Sequence, residues 1–323
     1  MRRIFVFYNP ILVAGRGRRA MFERIEEMLR NGHEAEGREV QVAPTFSATS
    51  AGAQASEAVE AGYDTVLVCG GDGTVFQVLQ GIAGKGVSLG VIPLGTGNVI
   101  AQNLGLPRNP VRAAQMMVRG QAREARLGQL KVAPVGHRQM KSWYFLISAG
   151  MGLHAALMNL SQMGNGKRIG GRAAYFAAGA RLLLKEPIEE FLLEMTRASG
   201  GTVTVEASEA IAVRLPAINV WRPGGDWFGN SLRLAWIPRC ERMDFFRSVL
   251  AALTNRVSGP GEGEPGGQMR PYYDDIVRMV CKPIPNSKKR SRLLVEADGE
   301  VLGTRHLEVT VAKERISLVF PAK

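Results

Sequence analysis

Two glycine-rich loops in the first hundred residues have the composition of phosphate-binding sites. The first reads Gly-Gly-Asp-Gly-Thr, follows the apolar run at residues 65–69 and precedes a stretch of helical periodicity. Glycines let a backbone approach a ligand closely, and the start of a helix offers free N–H groups and a partial positive charge to phosphate oxygens. The second loop follows the apolar run at residues 87–92. The candidate binding residues of the two loops are Gly70, Gly71, Asp72, Gly73, Thr74, Gly95, Thr96 and Asn98.

Neither loop matches a common nucleotide motif. The first lacks both the glycine spacing of Gly-x-Gly-x-x-Gly and the Gly-Lys-Ser/Thr ending of a Walker A loop. Taken alone, it is as compatible with a tight turn as with a binding site. Asp72 has a structural alternative as well, as the cap of a helix beginning near Thr74. The presence of a second, similar loop favours the binding interpretation.

Strands and helices alternate through residues 1–105, which predicts a parallel sheet. The predicted strands are residues 4–8, 40–42, 65–69 and 87–92, of which 40–42 is a brief candidate. Helical spacing is found at residues 21–29, 51–61 and 75–82. Ligands bind at the carboxyl ends of the strands in open α/β sheets, and both glycine loops follow strands. We therefore expect the two loops to form one site.

The pattern changes near residue 125 to short strands, which predicts an all-β second domain. The predicted strands are residues 143–147, 203–206, 211–215, 232–236, 276–281, 293–296, 307–311 and 316–320. One helix is expected at residues 172–184, and residues 260–267 read as a loop rich in glycine and proline. A length of 323 residues also favours two domains, which we place at residues 1–125 and 126–323.

The chain carries a formal net charge of +12, which suits nucleic acid, an anionic membrane surface or a phosphorylated ligand. Nucleic acid is not the expected partner, because the sequence has no helix-turn-helix pattern, no basic strand interleaved with aromatic residues and no zinc-finger spacing. The apolar run at residues 4–8 is too short for a signal peptide or a bilayer span. These features predict a cytoplasmic protein that can attach peripherally to the inner face of the membrane.

Cysteine and histidine indicate no metal chemistry. The cysteines are far apart and lack paired metal-ligand spacing; they are Cys69, Cys240 and Cys281. The histidines lack such spacing too, so ordinary packing or exposure is expected for His33, His137, His154 and His306.

Further motifs accompany the two loops in a fixed order. Asn9-Pro10 precedes a loop of glycine and arginine, and the second glycine loop continues into Ala101 and Leu104-Gly105-Leu106-Pro107. In this order and spacing the sequence resembles the diacylglycerol kinase catalytic-domain family, which includes bacterial lipid kinases, sphingosine kinases and ceramide kinases. Gly150-Met151-Gly152 and Asp298-Gly299-Glu300 resemble the remaining marks of that family, so the resemblance spans nearly the whole chain.

The resemblance implies both a fold and a reaction. The implied fold is a parallel-sheet α/β domain like those of phosphofructokinases and NAD kinases, followed by a β-sandwich. The implied reaction transfers the γ-phosphoryl group of ATP, supplied as Mg-ATP, to a hydroxyl of diacylglycerol or a related lipid. The nucleotide would be held by Asn9, Thr45, the first glycine loop and Thr96. Glu300 would accept the hydroxyl proton, although in sphingosine kinases the acid at the place of Asp72 does so.

Three positions depart from the family pattern. Arg126 stands at the place of an aspartate, His154 stands where an Asp-Ala pair is common, and Asn230-Ser231 replaces an Asp-Gly pair associated with a structural magnesium ion. Mg²⁺ prefers carboxylate and water ligands, so these exchanges predict that the structural metal site is weakened or lost. We therefore assign no residue to a metal site.

Two other functions stay open at this point. A non-catalytic relative would bind nucleotide or lipid without turnover. An NAD kinase would share the first glycine loop, but its Asn-Glu motif is missing downstream. Glu300 also has a structural interpretation, because Asp-Gly favours hairpin turns. The basic stretches at residues 168–185 and 288–292 would meet anionic lipid in a membrane-bound enzyme, whereas such stretches more often pack on the protein or face water.

Overall fold

The described part of the chain forms two compact units. A computed structural model describes residues 2–31, 37–47, 50–134, 137, 139–163, 188–216, 225–245, 247, 273–285 and 293–322. The first unit contains Met1–Leu127 and Ala312–Lys323, and the second contains Gly128–Val311. Four sequence predictions lie outside the described residues: the helix at 172–184, the loop at 260–267, and the basic stretches at 168–185 and 288–292.

The first unit is built on a parallel sheet with the strand order β14-β4-β3-β1-β2. Its strands are β1 (Arg3–Tyr8), β2 (Glu39–Pro44), β3 (Thr65–Gly70), β4 (Ser88–Pro93) and the last part of β14 (Leu307–Phe320). Every residue of β3 is buried, as expected for a central strand that is covered on both faces. The predicted parallel α/β domain is confirmed.

Helices cover this sheet with apolar faces. They are α1 (Pro10–Val13), α2 (Arg16–Asn31), α3 (Ala51–Glu60), α4 (Asp72–Ile82), α5 (Val99–Asn103) and α6 (Pro110–Val118). In α2, residues at helical spacing point into a core shared with β1 and β3; they are Phe22, Ile25 and Leu29. The start of α6 is fixed by Pro110 and by the Asn109 side chain, which accepts hydrogen bonds from two backbone N–H groups.

The second unit consists mainly of antiparallel strands. Its elements are the last part of β5 (Gln121–Val132), β6 (Lys141–Phe145), β7 (Ser148–Gly152), α7 (Leu153–Met163), β8 (Phe191–Arg197), β9 (Thr202–Val213), β10 (Leu232–Pro238), β11 (Tyr273–Pro283), β12 (Leu294–Ala297), β13 (Glu300–Thr304) and the first part of β14. Strand β9 pairs with β8 through residues 202–207, with β10 through residues 207–213 and with β7 through residues 209–213. The predicted β-sandwich class is confirmed.

Several element boundaries differ from the sequence predictions. Residues 203–206 and 211–215 were expected as separate strands but fall largely within the single strand β9, and residues 307–320 likewise form one strand. Residues 317 and 318 pair with 88 and 89 of β4. The end of β14 therefore belongs to the first unit, whereas a linear division at residue 125 would assign it to the second. Within the described residues, no helix combines the length and apolarity required to cross a bilayer.

Candidate functional site

The candidate nucleotide residues lie at the carboxyl edge of the parallel sheet. Tyr8, which ends β1, is in register with Pro44 of β2 and Cys69 of β3, and Gly70 is in register with Pro93 of β4. The predicted residues follow these strand ends directly; they are Asn9, Thr45, Gly71, Asp72, Gly73, Thr74, Gly95, Thr96 and Asn98. The structure thus brings these residues to one edge, as expected for strands that run parallel.

Asn9 and Thr45 fix the direction of the chain at this edge. The Asn9 side-chain oxygen accepts a hydrogen bond from the Ile11 N–H at 3.0 Å, which caps α1, and the Asn9 N–H donates to the Cys69 carbonyl at 3.2 Å. Thr45 is buried, and its N–H donates to the Tyr8 carbonyl at 2.9 Å. These bonds hold the two residues beside the first glycine loop.

The two glycine loops touch through their backbones. A Cβ atom on Gly95 would lie 2.7 Å from the Cα of Gly71 and 2.9 Å from the Asn98 Oδ1 atom, so a larger residue does not fit without backbone movement. The Leu94 N–H donates to the Gly70 carbonyl at 2.9 Å, which adds a direct bond between the strand ends. The loops therefore form one structure.

Asp72 links the loops through its side chain. Its Oδ2 atom accepts from the Val99 N–H at 3.0 Å, and its Oδ1 atom accepts from the Ile100 N–H at 3.1 Å. Asp72 is the first residue of α4, yet it caps the start of α5. The capping role considered from the sequence thus exists, but for the helix that follows the other loop. Both carboxylate oxygens are engaged in this way.

Asn98 shapes the second loop. Its φ of 49° lies in the left-handed region, which asparagine tolerates better than most residues. Its Oδ1 atom accepts from the Gly95 N–H at 2.9 Å, and its Nδ2 atom donates to the Gly95 carbonyl at 2.6 Å. Asn98 thereby closes the loop on Gly95. The conformation of the loop alone explains why an asparagine stands at this position.

The start of α4 is suited to an anion. Gly71 is its N-cap residue and provides no side-chain cap, and the first N–H groups of a helix have no intrahelical acceptors. Such N–H groups, together with the helix dipole, favour phosphate oxygens. Thr96 and Gly97 in the adjoining loop are exposed. The edge can therefore offer backbone N–H groups, and the Thr96 hydroxyl, to a phosphorylated ligand.

Glu300 lies in the second unit, at the first position of β13 and directly after a tight turn. The turn residues Asp298 and Gly299 have φ values of 48° and 84°, which match an Asp-Gly hairpin turn. Glu300 is half-buried and in register with Ala297 of β12. Glu300 therefore lies in a hairpin, as the structural interpretation predicted. This placement does not decide the chemical role of its carboxylate.

Asp298 anchors this turn to the strands beside it. Its carboxylate is buried and accepts hydrogen bonds from the N–H groups of Leu146, Ile147 and Ser148 at 2.9, 2.8 and 3.1 Å. Burial raises the pKa of Asp298 to about 8, and the three N–H donors act in the opposite direction by stabilising the carboxylate. The Asp298 carboxylate therefore holds the turn in place.

A histidine between two glutamates lies next to the same turn. The Nδ1 atom of His154 contacts Glu209, and the Nε2 atom lies 3.0 Å from Glu296 Oε1. The side chains of Glu209 and Glu296 are only 5% and 2% exposed. Burial acts to lower the pKa of His154, but the two carboxylates outweigh it and raise the pKa to about 10. The imidazole ring is thus held in its charged form.

This cluster predicts a pH dependence of stability. The pKa of His154 is about 10 in the fold against 6.5 in the unfolded chain, so its stabilisation is complete below pH 6.5 and is lost as the pH rises through about 10. We expect the free energy of unfolding of the wild type to exceed that of His154→Gln by a few kcal/mol near pH 6.5, and this difference to shrink towards pH 10. Urea unfolding at several pH values measures it. A difference in unfolding free energy that does not change with pH would contradict the charged state assigned to His154. The control is His137→Gln, at an exposed histidine.

Comparison with known proteins finds a family match for part of the chain. Residues 3–130 match the family model described as the diacylglycerol kinase catalytic domain. Through these residues the chain is similar to the diacylglycerol kinase catalytic-domain family. The match to individual proteins is also partial: the diacylglycerol kinase of Bacillus subtilis (strain 168) is 31% identical over 186 residues, which are 57% of this chain and 56% of that protein. The diacylglycerol kinase of Mycobacterium tuberculosis (strain ATCC 25618 / H37Rv) is 40% identical over 93 residues, or 28% and 29% of the two chains.

Solved structures show the same fold at low identity. A diacylglycerol kinase from Bacillus anthracis str. Sterne has a TM-score of 0.64 at 15% identity and covers 99% of this chain and 97% of its own. Yeast NADH kinase in complex with NADH has a TM-score of 0.50 at 10% identity, with coverage of 100% and 84%. The fold class predicted from the sequence is thereby confirmed.

The loop that carries Asn230 is held by a buried arginine. The fully buried guanidinium of Arg214 donates to the carbonyls of Ser231 and Gly229 at 2.6 and 3.2 Å. The Ser231 hydroxyl donates to the Asp274 carbonyl at 2.7 Å. A protein cation thus donates hydrogen bonds to two carbonyl oxygens of this loop. Among the described residues, no group of three or more His, Cys, Asp or Glu side chains could hold a metal ion.

The ionic cluster of His154, Glu209 and Glu296 is not predicted from the sequence. His154 was expected to be exposed or simply packed, and neither Glu209 nor Glu296 was linked to it. The available signal was a charged residue within an apolar strand, because Glu209 is flanked by buried Ala207, Ser208 and Ala210. Buried charges are paired in folded proteins, so Glu209 required a cationic partner that the sequence alone does not name.

Proposed function

We propose that this chain is an ATP-dependent lipid kinase that transfers the γ-phosphoryl group to a hydroxyl of diacylglycerol or a related lipid. The observation that carries the proposal is the union of the two glycine loops, in which Gly95 packs on Gly71 and Asp72 caps the helix after the second loop. Such a backbone cradle at the carboxyl edge of a parallel sheet suits a nucleotide phosphate.

In this proposal the first unit binds the nucleotide. The residues that would hold ATP are Asn9, Thr45, Gly70, Gly71, Asp72, Gly73, Thr74, Gly95, Thr96 and Asn98. Several of them, including Asn9, Asp72 and Asn98, act through the shape of the loops, since their side chains bind backbone groups. Mg²⁺ would enter as part of the substrate Mg-ATP and offset phosphate charge during transfer.

Glu300 is the proposed general base. A lone pair on the lipid hydroxyl oxygen forms the new bond to the γ-phosphorus, the bond from that phosphorus to the β–γ bridging oxygen breaks, and ADP leaves. The hydroxyl proton passes to the Glu300 carboxylate. We assign this role to Glu300, as the resemblance to the family implies, and a loop-shaping role to Asp72, whose two oxygens accept backbone hydrogen bonds.

The lipid substrate implies work at a membrane surface. The net charge of +12 supports peripheral association with anionic lipid, since basic proteins are attracted to the negative surface of a membrane. The proposed location is the cytoplasmic face of the membrane, with the lipid hydroxyl presented from the bilayer.

A direct assay tests the function. Radiolabelled ATP and Mg²⁺ are incubated with mixed micelles that contain diacylglycerol, sphingosine, ceramide or monoacylglycerol, and labelled lipid is separated. We expect one lipid to be phosphorylated, and the product to disappear with Asp72→Ala, whose fold is checked by circular dichroism. ATP binding without product on any lipid would overturn the kinase proposal and favour a non-catalytic relative.

A further inference from the structure

His154 joins three separate elements of the second unit. It lies in the first turn of α7, Glu209 lies in β9, and Glu296 lies in β12. Their side chains are 17%, 5% and 2% exposed, so the ring bridges two carboxylates that are nearly inaccessible to water. Two buried carboxylates repel each other strongly unless a cation lies between them, which makes the ring a necessary part of the cluster.

The second oxygen of each glutamate binds a backbone N–H. Glu209 Oε2 accepts from Leu153 at 2.6 Å, next to the histidine itself. Glu296 Oε2 accepts from the Gly299 N–H at 2.8 Å. Gly299 precedes Glu300, so a continuous path of contacts leads from the His154 ring through the Glu296 carboxylate to the backbone that carries the proposed base.

Two glycines of strand β7 leave room for this cluster. A Cβ atom on Gly150 would lie 2.8 Å from His154 Cε1, and a Cβ atom on Gly152 would overlap Glu209 Oε2. Gly152 also has a φ of 130°, which side-chain-bearing residues rarely adopt. The glycines of the Gly150-Met151-Gly152 segment therefore leave the space in which the ring and the carboxylate meet.

We propose that His154 is a positioning residue for Glu300: the ring orients the Glu296 carboxylate, which holds the Gly299 amide and thereby sets the place of Glu300. The inference rests on the proposed function, in which Glu300 accepts the lipid proton. Asp298 holds the other side of the same turn through three backbone N–H groups. The hairpin thus has two anchors, and loss of one leaves it formed but less exactly placed.

Displacement of Glu300 is expected to slow the reaction. A displacement of about 1 Å at a catalytic group can cost roughly 10²-fold in rate. We expect His154→Gln and Glu296→Gln to lower kcat about ten- to hundredfold. The KM for ATP should stay within about twofold, because the residues proposed to bind ATP belong to the first unit. A loss of folded protein would instead lower the active fraction and leave kcat per active site unchanged.

The experiment combines kinetics with hydrogen exchange of the Gly299 amide. In the wild type this amide should exchange slowly, and in both variants faster, while the exposed control His137→Gln changes neither measurement. Glu296→Gln is nearly isosteric and serves as the folded variant if His154→Gln does not fold. Wild-type kcat with unchanged Gly299 protection in either folded variant would overturn the inference, and so would fast exchange of Gly299 in the wild type.

The two proposals fail in distinguishable ways. A wild type that binds ATP but phosphorylates no lipid would overturn the proposed function. The exchange measurement needs no turnover and would still decide whether His154 fixes the turn. Normal wild-type turnover together with unaffected variants would overturn the role of His154 and leave the kinase intact.

Discussion

Replacing Glu300 with glutamine is expected to lower kcat for lipid phosphorylation by roughly 10²- to 10⁴-fold, the range typical of a lost general base. The amide keeps the size of the side chain and its ability to form hydrogen bonds, but it does not accept a proton as the carboxylate does. Because Glu300 follows a turn that is anchored by its neighbours, the substitution should leave the hairpin in place. Steady-state assays with radiolabelled ATP measure the effect, and a fluorescent ATP analogue should show an unchanged Kd.

A matched control is available in the same unit. Glu241 is an exposed glutamate, so Glu241→Gln removes the same charge without touching the turn. Its kcat should equal that of the wild type. Undiminished turnover by the Glu300→Gln protein would exclude Glu300 as the base and return Asp72, the other candidate acid, to that role.

Substituting alanine for Gly95 is expected to weaken ATP binding roughly ten- to hundredfold, because overpacking typically costs about 1–3 kcal/mol and each 1.4 kcal/mol changes Kd about tenfold. The added Cβ would lie 2.7 Å from the Gly71 Cα, which is backbone and does not rotate away. Asn98 on the other side is held by its own bonds to Gly95. The two loops must therefore separate, and the phosphate cradle must change shape. Isothermal titration with Mg-ATP measures the loss.

The control for this substitution is Gly17→Ala. Gly17 lies in α2, has no positive φ, and a Cβ there meets nothing within 4 Å. Alanine should leave ATP affinity unchanged at that position and favour the helix slightly. Wild-type affinity in the Gly95→Ala protein would show that the contact between the loops is not required for nucleotide binding.

The strands of the first unit are predictable from short segments of the sequence. The stretch at residues 65–70 is apolar and ends in glycine, and these features alone predict a buried parallel strand followed by a loop. Strands β1 and β4 contain similar mainly apolar stretches, whereas β2 is marked only by Val40 and Val42. The placement of the candidate residues at one edge then follows from the rule that parallel strands end on the same side of their sheet.

Contacts between residues that are far apart in the sequence are not predictable from such local patterns. Asp72 reaches amide groups that are 27 and 28 residues away, and Glu296 reaches a histidine that is 142 residues away. The cluster also disturbed the prediction of its own strand. Glu209 places a charge within the buried run of residues 207–213, and an apolar pattern with a charge in it reads as two short strands instead of one. A buried ionic residue thus hides strand continuity from pattern-based prediction.

The division of β14 between the units has a consequence for synthesis of the protein. A ribosome makes residues 1–127 early, but the strand that flanks β4 comes from residues 312–323, which are made after the entire second unit. Until then β4 has an unpaired edge, and such edges are prone to wrong pairing between nascent chains. The first unit therefore does not reach its final form co-translationally as an independent domain, and its completion awaits the synthesis of nearly two hundred further residues.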